Sequence, residues 1–483
     1  MANRVTRRGV LIGGLGMAGA AVAAPALAVP AFAAGAEGAG AVGAGAVSAG
    51  AEGAGGPSVT AVSPADLPWP QARAIVAETT VPTFPAVTFD VTAYGAKGDG
   101  STDNTAAFKR AIDACNAAGG GTVRVPGGTY LTGAIHLKSN VNLRLDGATL
   151  AFSGDASAYP VVLTRYEGIE CMNRSPMIYA YGQRNIALTG NGVLDAAATS
   201  SWNKGSDRAW LETQLSKPPQ ERVVPGSGHT MRSAFVEPYN CQNVLIQGVT
   251  LRNSMFWQIH PTLCRNVTVD RVSTDPSTAH SNTDGCDPES CDHVVISNCD
   301  LGAHDDNIAI KSGRDADGRR VNVPCQNIVV FGCRMNGNWG AITCGSEQTG
   351  GIRNVYAFRN TLVGVTKFAL YVKSNTQRGG FSQNINLDSF SGQVDRAYVY
   401  VTMTYNGQTG TYPPAFGPFT ITNSSSMKAP RVFDVSGLAD DHITGFVVRN
   451  CSFNGVSDTS NTLTNVDGVV FANVKINGKA VRP

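Results

Sequence analysis

One phrase recurs along this chain and restricts its fold more than any other feature. A small or amide residue is followed by Asn or His, then by apolar and β-branched residues alternating with polar ones. It reads Arg184-Asn185-Ile186, Cys241-Gln242-Asn243-Val244, Cys264-Arg265-Asn266-Val267, Cys291-Asp292-His293-Val294, Cys325-Gln326-Asn327-Ile328, Ile352-Arg353-Asn354-Val355 and Ser382-Gln383-Asn384-Ile385. From Asn243 onward the third members are separated by 23, 27, 34, 27 and 30 residues. Alternation over four or five residues predicts short strands. A period of twenty-odd residues, with insertions taken up in loops, predicts a solenoid of stacked β-coils, an all-β parallel β-helix. An Asn at each bend adopts the left-handed conformation and bonds its own backbone, and stacked amides bond the coil above. Cys241, Cys264, Cys291 and Cys325 share one phase of the repeat and are expected to form an inward ladder. Their spacing follows the coil and not a zinc pattern, so no metal is expected on these thiols.

The ends of the chain read differently. Arg4, Arg7 and Arg8 precede an apolar run from Val10 to about Val29 that closes on Ala31-Phe32-Ala33. This is the layout of an export signal over residues 1–33, and the Arg7-Arg8 pair points to the twin-arginine route and a secreted protein. Residues 34–68, almost all Ala, Gly, Ser, Val and Pro, read as a low-complexity linker ahead of the β-helix domain over 69–483. Thr105 to Ala117 places Ala107, Phe108, Ala111, Ile112 and Cys115 on one helical face and ends at Gly119-Gly120-Gly121. That helix is expected to cap the first coil, whose strand edges would otherwise stay open.

Charge excludes several function classes. The net charge of +2 loses three arginines with the leader, giving about −1, and no basic stripe argues for nucleic acid. Nothing after the leader has the length and apolarity to span a bilayer, and a monomer is expected. The 11 cysteines are odd in number, so at least one is free or pairs between molecules, with a disulfide or two open outside the cytoplasm.

The chemistry concentrates in three aspartates. Asp284 lies in Asn282-Thr283-Asp284-Gly285, and Asp305-Asp306 follow 21 and 22 residues later, close to one coil. Asp284 is therefore expected one rung beneath the pair, about 4.8 Å away. Carboxylates that close repel as anions, so at least one holds a proton near neutral pH. Glycoside cleavage needs that proton for the leaving oxygen and a base for the attacking water. Asp287, Asp300 and Asp315 lack such partners and read as structural, while Glu289 is a further cleft candidate.

The stretches Asn282-Thr283-Asp284-Gly285-Cys286-Asp287-Pro288-Glu289-Ser290-Cys291 and Asp305-Asp306-Asn307-Ile308-Ala309-Ile310-Lys311-Ser312-Gly313-Arg314 resemble glycoside hydrolase family 28, the polygalacturonases, above all the bacterial exo-acting branch. The resemblance runs from Phe89-Asp90-Val91 to about Tyr405 and includes Asn253 to Pro261 with His260, Gly345-Ser346-Glu347 and Arg378-Gly379-Gly380. It implies a right-handed, pectin-lyase-like β-helix and an inverting glycosidase acting on a pectic polysaccharide. It implies Asp305 as general acid, Asp284 and Asp306 activating water, and no cofactor or metal. Asn282, His260, Lys311 and Lys373 are carried over as substrate-binding candidates.

This chain departs from the family pattern at three places. Asn338-Trp339-Gly340 stands where Gly-His-Gly is usual, and Tyr371-Val372-Lys373 stands where Arg-Ile-Lys is usual. His304 replaces a Gly before the aspartate pair and is a spatial stand-in candidate for the missing histidine. Exchanging Arg for Tyr removes a bidentate clamp and adds a stacking face. Trp339 and Tyr371 thus point to a less acidic or decorated pectin such as rhamnogalacturonan, with plain core filling as the other reading. A polysaccharide lyase on the same fold, and a carbohydrate-binding β-helix without catalysis, are the competing functions.

Overall fold

The computed structural model describes residues 61–275, 280–364 and 366–482. The expected leader and most of the expected linker lie outside these residues. Within them the chain winds as a parallel β-helix whose coils contribute strands to three sheets. The first sheet has 16 strands, running from Thr88–Asp90 through Gln242–Gln247, Arg265–Asp270, Asp292–Ser297, Cys325–Phe331, Ile352–Phe358 and Phe381–Asp388 to Val466–Ile476. The second has 10 short strands, among them Thr250–Arg252, Asp300–Ala303 and Arg334–Gly337. The third contains Ile308–Ile310, Gly340–Gly345, Phe368–Lys373, Ala397–Thr402 and Arg431–Ser436. Single bridges, Ile259 to Cys286 and Cys286 to Ile308, carry this third face down to earlier coils.

The register reproduces the spacing of the repeated phrase. Gln242 pairs with Arg265, Arg265 with Asp292, Asp292 with Gln326, Gln326 with Arg353 and Arg353 with Gln383. The long step between Asp292 and Gln326 accommodates the short helix Asp315–Val321. The bend residues take the left-handed conformation, with φ of 57° at Asn243, 56° at Asn266, 58° at Asn327 and 58° at Asn354. Their amides stack: Asn243 donates to Asn185 (2.8 Å), Asn266 to Asn243 (2.8 Å), Asn354 to Asn327 (2.9 Å) and Asn384 to Asn354 (3.0 Å). His293 interrupts the stack, still at φ 61°, and Asn327 donates instead to Asp292.

Inside the coils, Val, Ile, Leu and Cys stack into one core. All 11 cysteines are buried and unpaired. The backbone N–H groups of Cys241, Cys264 and Cys291 each donate to the sulfur one coil on, at 3.3–3.4 Å. These thiols fill core volume and do not cross-link it. The helix Thr105–Ala117 buries the five predicted residues against the first coil. It stops where a Cβ on Gly120 would sit 2.5 Å from the Asn140 carbonyl oxygen.

The packed chain begins ahead of Trp69. Val62 and Leu67 are buried with Ala72 and Ile75 against Val295, Val329, Phe331, Tyr356 and Phe358 on the outer face of the first sheet. Those outward apolar side chains need cover, and two apolar residues in a Pro- and Ala-rich stretch suffice to supply it. No helix among the described residues is long and apolar enough to cross a membrane.

The Asn stack makes a direct prediction. Asn354→Ala keeps the Cβ in the left-handed region without the amide that makes Asn tolerate it, and removes two side-chain hydrogen bonds, a loss of roughly 2–5 kcal/mol. Asn354→Gly keeps the backbone geometry and should cost less. Urea midpoints should fall in the order wild type, Gly variant, Ala variant; an Ala variant as stable as the Gly variant would remove the backbone argument.

Candidate active site

The functional candidates sit on the connections that lead into the third sheet on three consecutive coils. Gly285 N donates to Asp306 O (3.1 Å), and Asn307 N donates to Gly340 O (2.8 Å). Asp284 therefore lies one rung below Asp306, and Gly340 one rung above it. One carboxylate oxygen from each of Asp284, Asp305 and Asp306 lies within 4.8 Å of the others.

Asp306 is the most firmly held of the three. Gly340 N donates to its Oδ1 (2.7 Å) and Lys373 Nζ to its Oδ2 (3.1 Å). A Cβ on Gly340 would come within 3.0 Å of that Oδ1 and 2.0 Å of Thr343 Oγ1, so only glycine allows this contact. Asp284 is buried, its Oδ2 is 3.8 Å from Lys311 Nζ, and its Oδ1 has no hydrogen-bond partner. Burial and the charges of Asp287 and Asp305 push it well above the usual carboxylate range. Asp305 is pushed up to about 6 by burial and by Asp306, against the pull of Lys373 and Lys311. Burial and crowding thus favour the protonated forms of Asp284 and Asp305.

The three aspartates open into a cavity of about 670 Å³. Asn282, Lys311, Trp339, Tyr371 and Lys373 also line it. Lys311 Nζ lies 3.4 Å from Glu347, 3.8 Å from Asp287 and 4.5 Å from the Trp257 ring centre. Tyr371 is only 3% exposed and packs on Phe368 and Tyr400, with Lys373 Nζ 4.3 Å from its ring centre. It is chiefly a packing residue whose edge reaches the cavity. Trp339 is half-buried and more open.

Three candidates are placed elsewhere. His260 is fully buried and outside the cavity wall, bonded to Glu289 (2.9 Å) and 3.6 Å from Glu237. Burial alone would lower it, but those two carboxylates raise it to about 9. Glu289 is engaged with His260 and Arg165 (3.1 Å), so it does not face the cleft either. His304 does not line the cavity; its backbone N–H donates to Thr283 Oγ1 (3.2 Å).

Further charged residues surround the trio. Asp287 is fully buried, without a hydrogen-bond partner, and pushed up to about 8, chiefly by burial. Asp315, read as partnerless, lies 3.6 Å from Arg378 and accepts from Gln377 (3.0 Å). Glu167 and Arg208 line the cavity from a hairpin turn and a short helix, Arg208–Thr213, outside the repeating coils. Arg314 bridges Glu167 (3.1 Å) and Glu347 (3.0 Å). Glu347 is held well below its usual range, because Lys311, Arg378 and Arg314 outweigh its burial.

Three oxygen donors this close have the chemistry of a site for a hard divalent cation. The ammonium groups of Lys311 and Lys373 stand beside two of the three carboxylates, so positive charge is already supplied.

The family model for glycosyl hydrolases family 28 matches residues 115–466. The chain belongs to glycosyl hydrolases family 28. Within the family it is similar to an exo-poly-alpha-D-galacturonosidase of Dickeya chrysanthemi, 28% identical, covering 79% of this chain and 70% of that one. The crystal structure of a hyperthermoactive exopolygalacturonase from Thermotoga maritima superposes with a TM-score of 0.78 at 35% identity, over 85% of this chain and 96% of that one. An endo-xylogalacturonan hydrolase from Aspergillus tubingensis shares the fold at 18% identity and a TM-score of 0.52, over 80% of this chain and 95% of that one. As a family 28 member the chain is a glycosidase.

The raised Asp305 links pH to stability. Its folded value of about 6 lies above the ordinary 3.8, so proton binding favours the folded state. This contribution is complete below about pH 3.8 and fades as pH rises through about 6. Asp305→Asn is neutral at every pH, so its Tm relative to wild type should climb across that window. A pH-independent difference would show that Asp305 is not shifted.

Proposed function

We propose that this glycosidase hydrolyses the galacturonan backbone of pectic polysaccharides by inversion. Asp305 protonates the leaving oxygen, and Asp284 and Asp306 hold the attacking water. The observation that carries this reading is the cluster of three carboxylates within 4.8 Å at the foot of a sugar-sized cavity. The exo-acting galacturonan enzymes among the relatives support the substrate class and an attack from the chain end.

One physical argument points the other way. Inverting pairs usually keep about 6.5–9.5 Å between carboxyl groups, whereas closer spacing suits a carboxylate nucleophile. A third carboxylate changes that comparison, because two aspartates can share one water while the third acts as acid. Asp306 has donors on both oxygens, which weakens it as a nucleophile.

In this reading Lys373 and Lys311 fix the aspartates and offer charge to a uronate. Asn282 holds the lower wall, where its Oδ1 accepts from Arg232 (2.9 Å). Trp339 presents an apolar face to a sugar ring, which leaves room for a partly neutral or decorated chain. Such polymers are met outside the cell, the compartment that the Arg7-Arg8 leader addresses. The lysines beside the trio take the place a cation would have, which disfavours a lyase as the second reading. That would require chelator-sensitive activity and an unsaturated product.

Asp305→Asn should lower the release of reducing ends from polygalacturonate by about a hundred- to ten-thousandfold, with the circular dichroism spectrum retained. EDTA should leave the wild-type rate unchanged. Near-wild-type turnover in the variant would remove Asp305 from its role, and loss of activity with EDTA would favour the lyase.

A further inference from the structure

The bends that lead into the third sheet place one residue above another on successive coils. Trp339 N donates to Asp305 O (3.2 Å), Lys367 N to Trp339 O (2.9 Å), Arg396 N to Lys367 O (3.3 Å) and Arg431 N to Arg396 O (3.1 Å). Asp305, Trp339, Lys367, Arg396 and Arg431 therefore form a single file along the axis, rising from the cavity toward the C-terminal coils. Arg431 is committed to Asp434 and Asp458. Lys367 and Arg396 are not committed: among the described residues neither side chain has an ion-pair partner. Lys367 Nζ rests 3.4 Å from the centre of the Trp339 ring. The Arg396 guanidinium lies 5.2 Å from the Tyr400 ring centre and 5.6 Å from that of Phe368.

Two cations one coil apart, steadied on aromatic faces and lacking counter-ions, form a surface that attracts a repeating anion. Burial, helped by Arg396, holds the Lys367 ammonium below its usual range, against the nearby charges of Asp305 and Asp306. The coil rise of about 4.8 Å is of the same order as the length of one sugar residue. We propose that Lys367 and Arg396 form a uronate-binding track that starts at Asp305 and runs up the C-terminal coils. The track takes the carboxylates of sugars beyond the cleaved bond. It supplies from neighbouring coils the positive charge that Tyr371 does not offer in place of arginine. This inference rests on the pectic-hydrolase reading but is tested apart from turnover.

The probe is a galacturonate oligosaccharide binding to the Asp305→Asn protein, followed by calorimetry, with its methyl ester as the neutral control. Adding Lys367→Met and Arg396→Met should raise Kd for the acid about three- to thirtyfold at low salt. It should leave Kd for the ester unchanged and flatten the salt dependence of binding. Lys367→Arg should retain most of the affinity. Unchanged affinity for the acid, an equal loss on the ester, or no binding of the acid by the parent protein would each overturn the track. The hydrolase reading is judged separately, by wild-type release of reducing ends from a panel of pectic polymers.

Discussion

The parallel register of the coils is the constraint on which everything else depends. Each strand bonds to the strand one turn earlier, so residues far apart in sequence meet at a fixed rise of about 4.8 Å. That rise brings Asp284 beneath Asp306, Gly340 above it, and Lys373 within 3.1 Å of its carboxylate. The register alone brings the aspartate trio together. The left-handed Asn bends keep the register in phase, since a coil that slipped by one residue would turn its core face outward.

Alternation along the same strands separates apolar packing from charge. Cys286, Ile308, Ile342 and Leu370 point into the core, while Asp287, Thr343 and Tyr371 point outward from the third sheet. Beneath the cavity these outward residues are covered, so charges are buried in opposed sets. His260 lies between Glu237 and Glu289, Arg165 meets Glu289, and Lys311 lies among Asp284, Asp287 and Glu347. Burying a charge is costly unless it is paired, and these pairs hold one another in place. The aspartate trio is the exception: three carboxylates crowd beside two ammonium groups, and burial favours the protonated forms of Asp284 and Asp305.

Much of this was legible in the sequence because the repeat is itself a coordinate system. The steps of 23, 27, 34, 27 and 30 residues became the strand register without adjustment. The interval from Asp284 to Asp306 likewise placed the trio, and the heptad-like face of Thr105–Ala117 placed its helix. What escaped lies outside the period or depends on side-chain direction. Glu167 and Arg208 sit on insertions that no repeat locates. His260 falls in a family-like stretch, yet strand alternation and a covering hairpin bury it. Trp339 and Tyr371 look alike as aromatic replacements, but only Trp339 stands open to the cavity. The packing of Val62 and Leu67 was hidden because a linker-like composition carries no sign of the apolar face it covers.

In the proposed mechanism three crowded aspartates direct a water, and not a carboxylate, at the anomeric carbon. Proton NMR of the products of the first turnovers of a galacturonate oligomer, recorded before mutarotation, tests this most directly. Attack by water should give the new reducing end in the β configuration from an α-linked chain. An initial α product would mean that one of the aspartates attacks the sugar itself, as its close spacing allows, and would contradict the assignment of Asp284 and Asp306 to water.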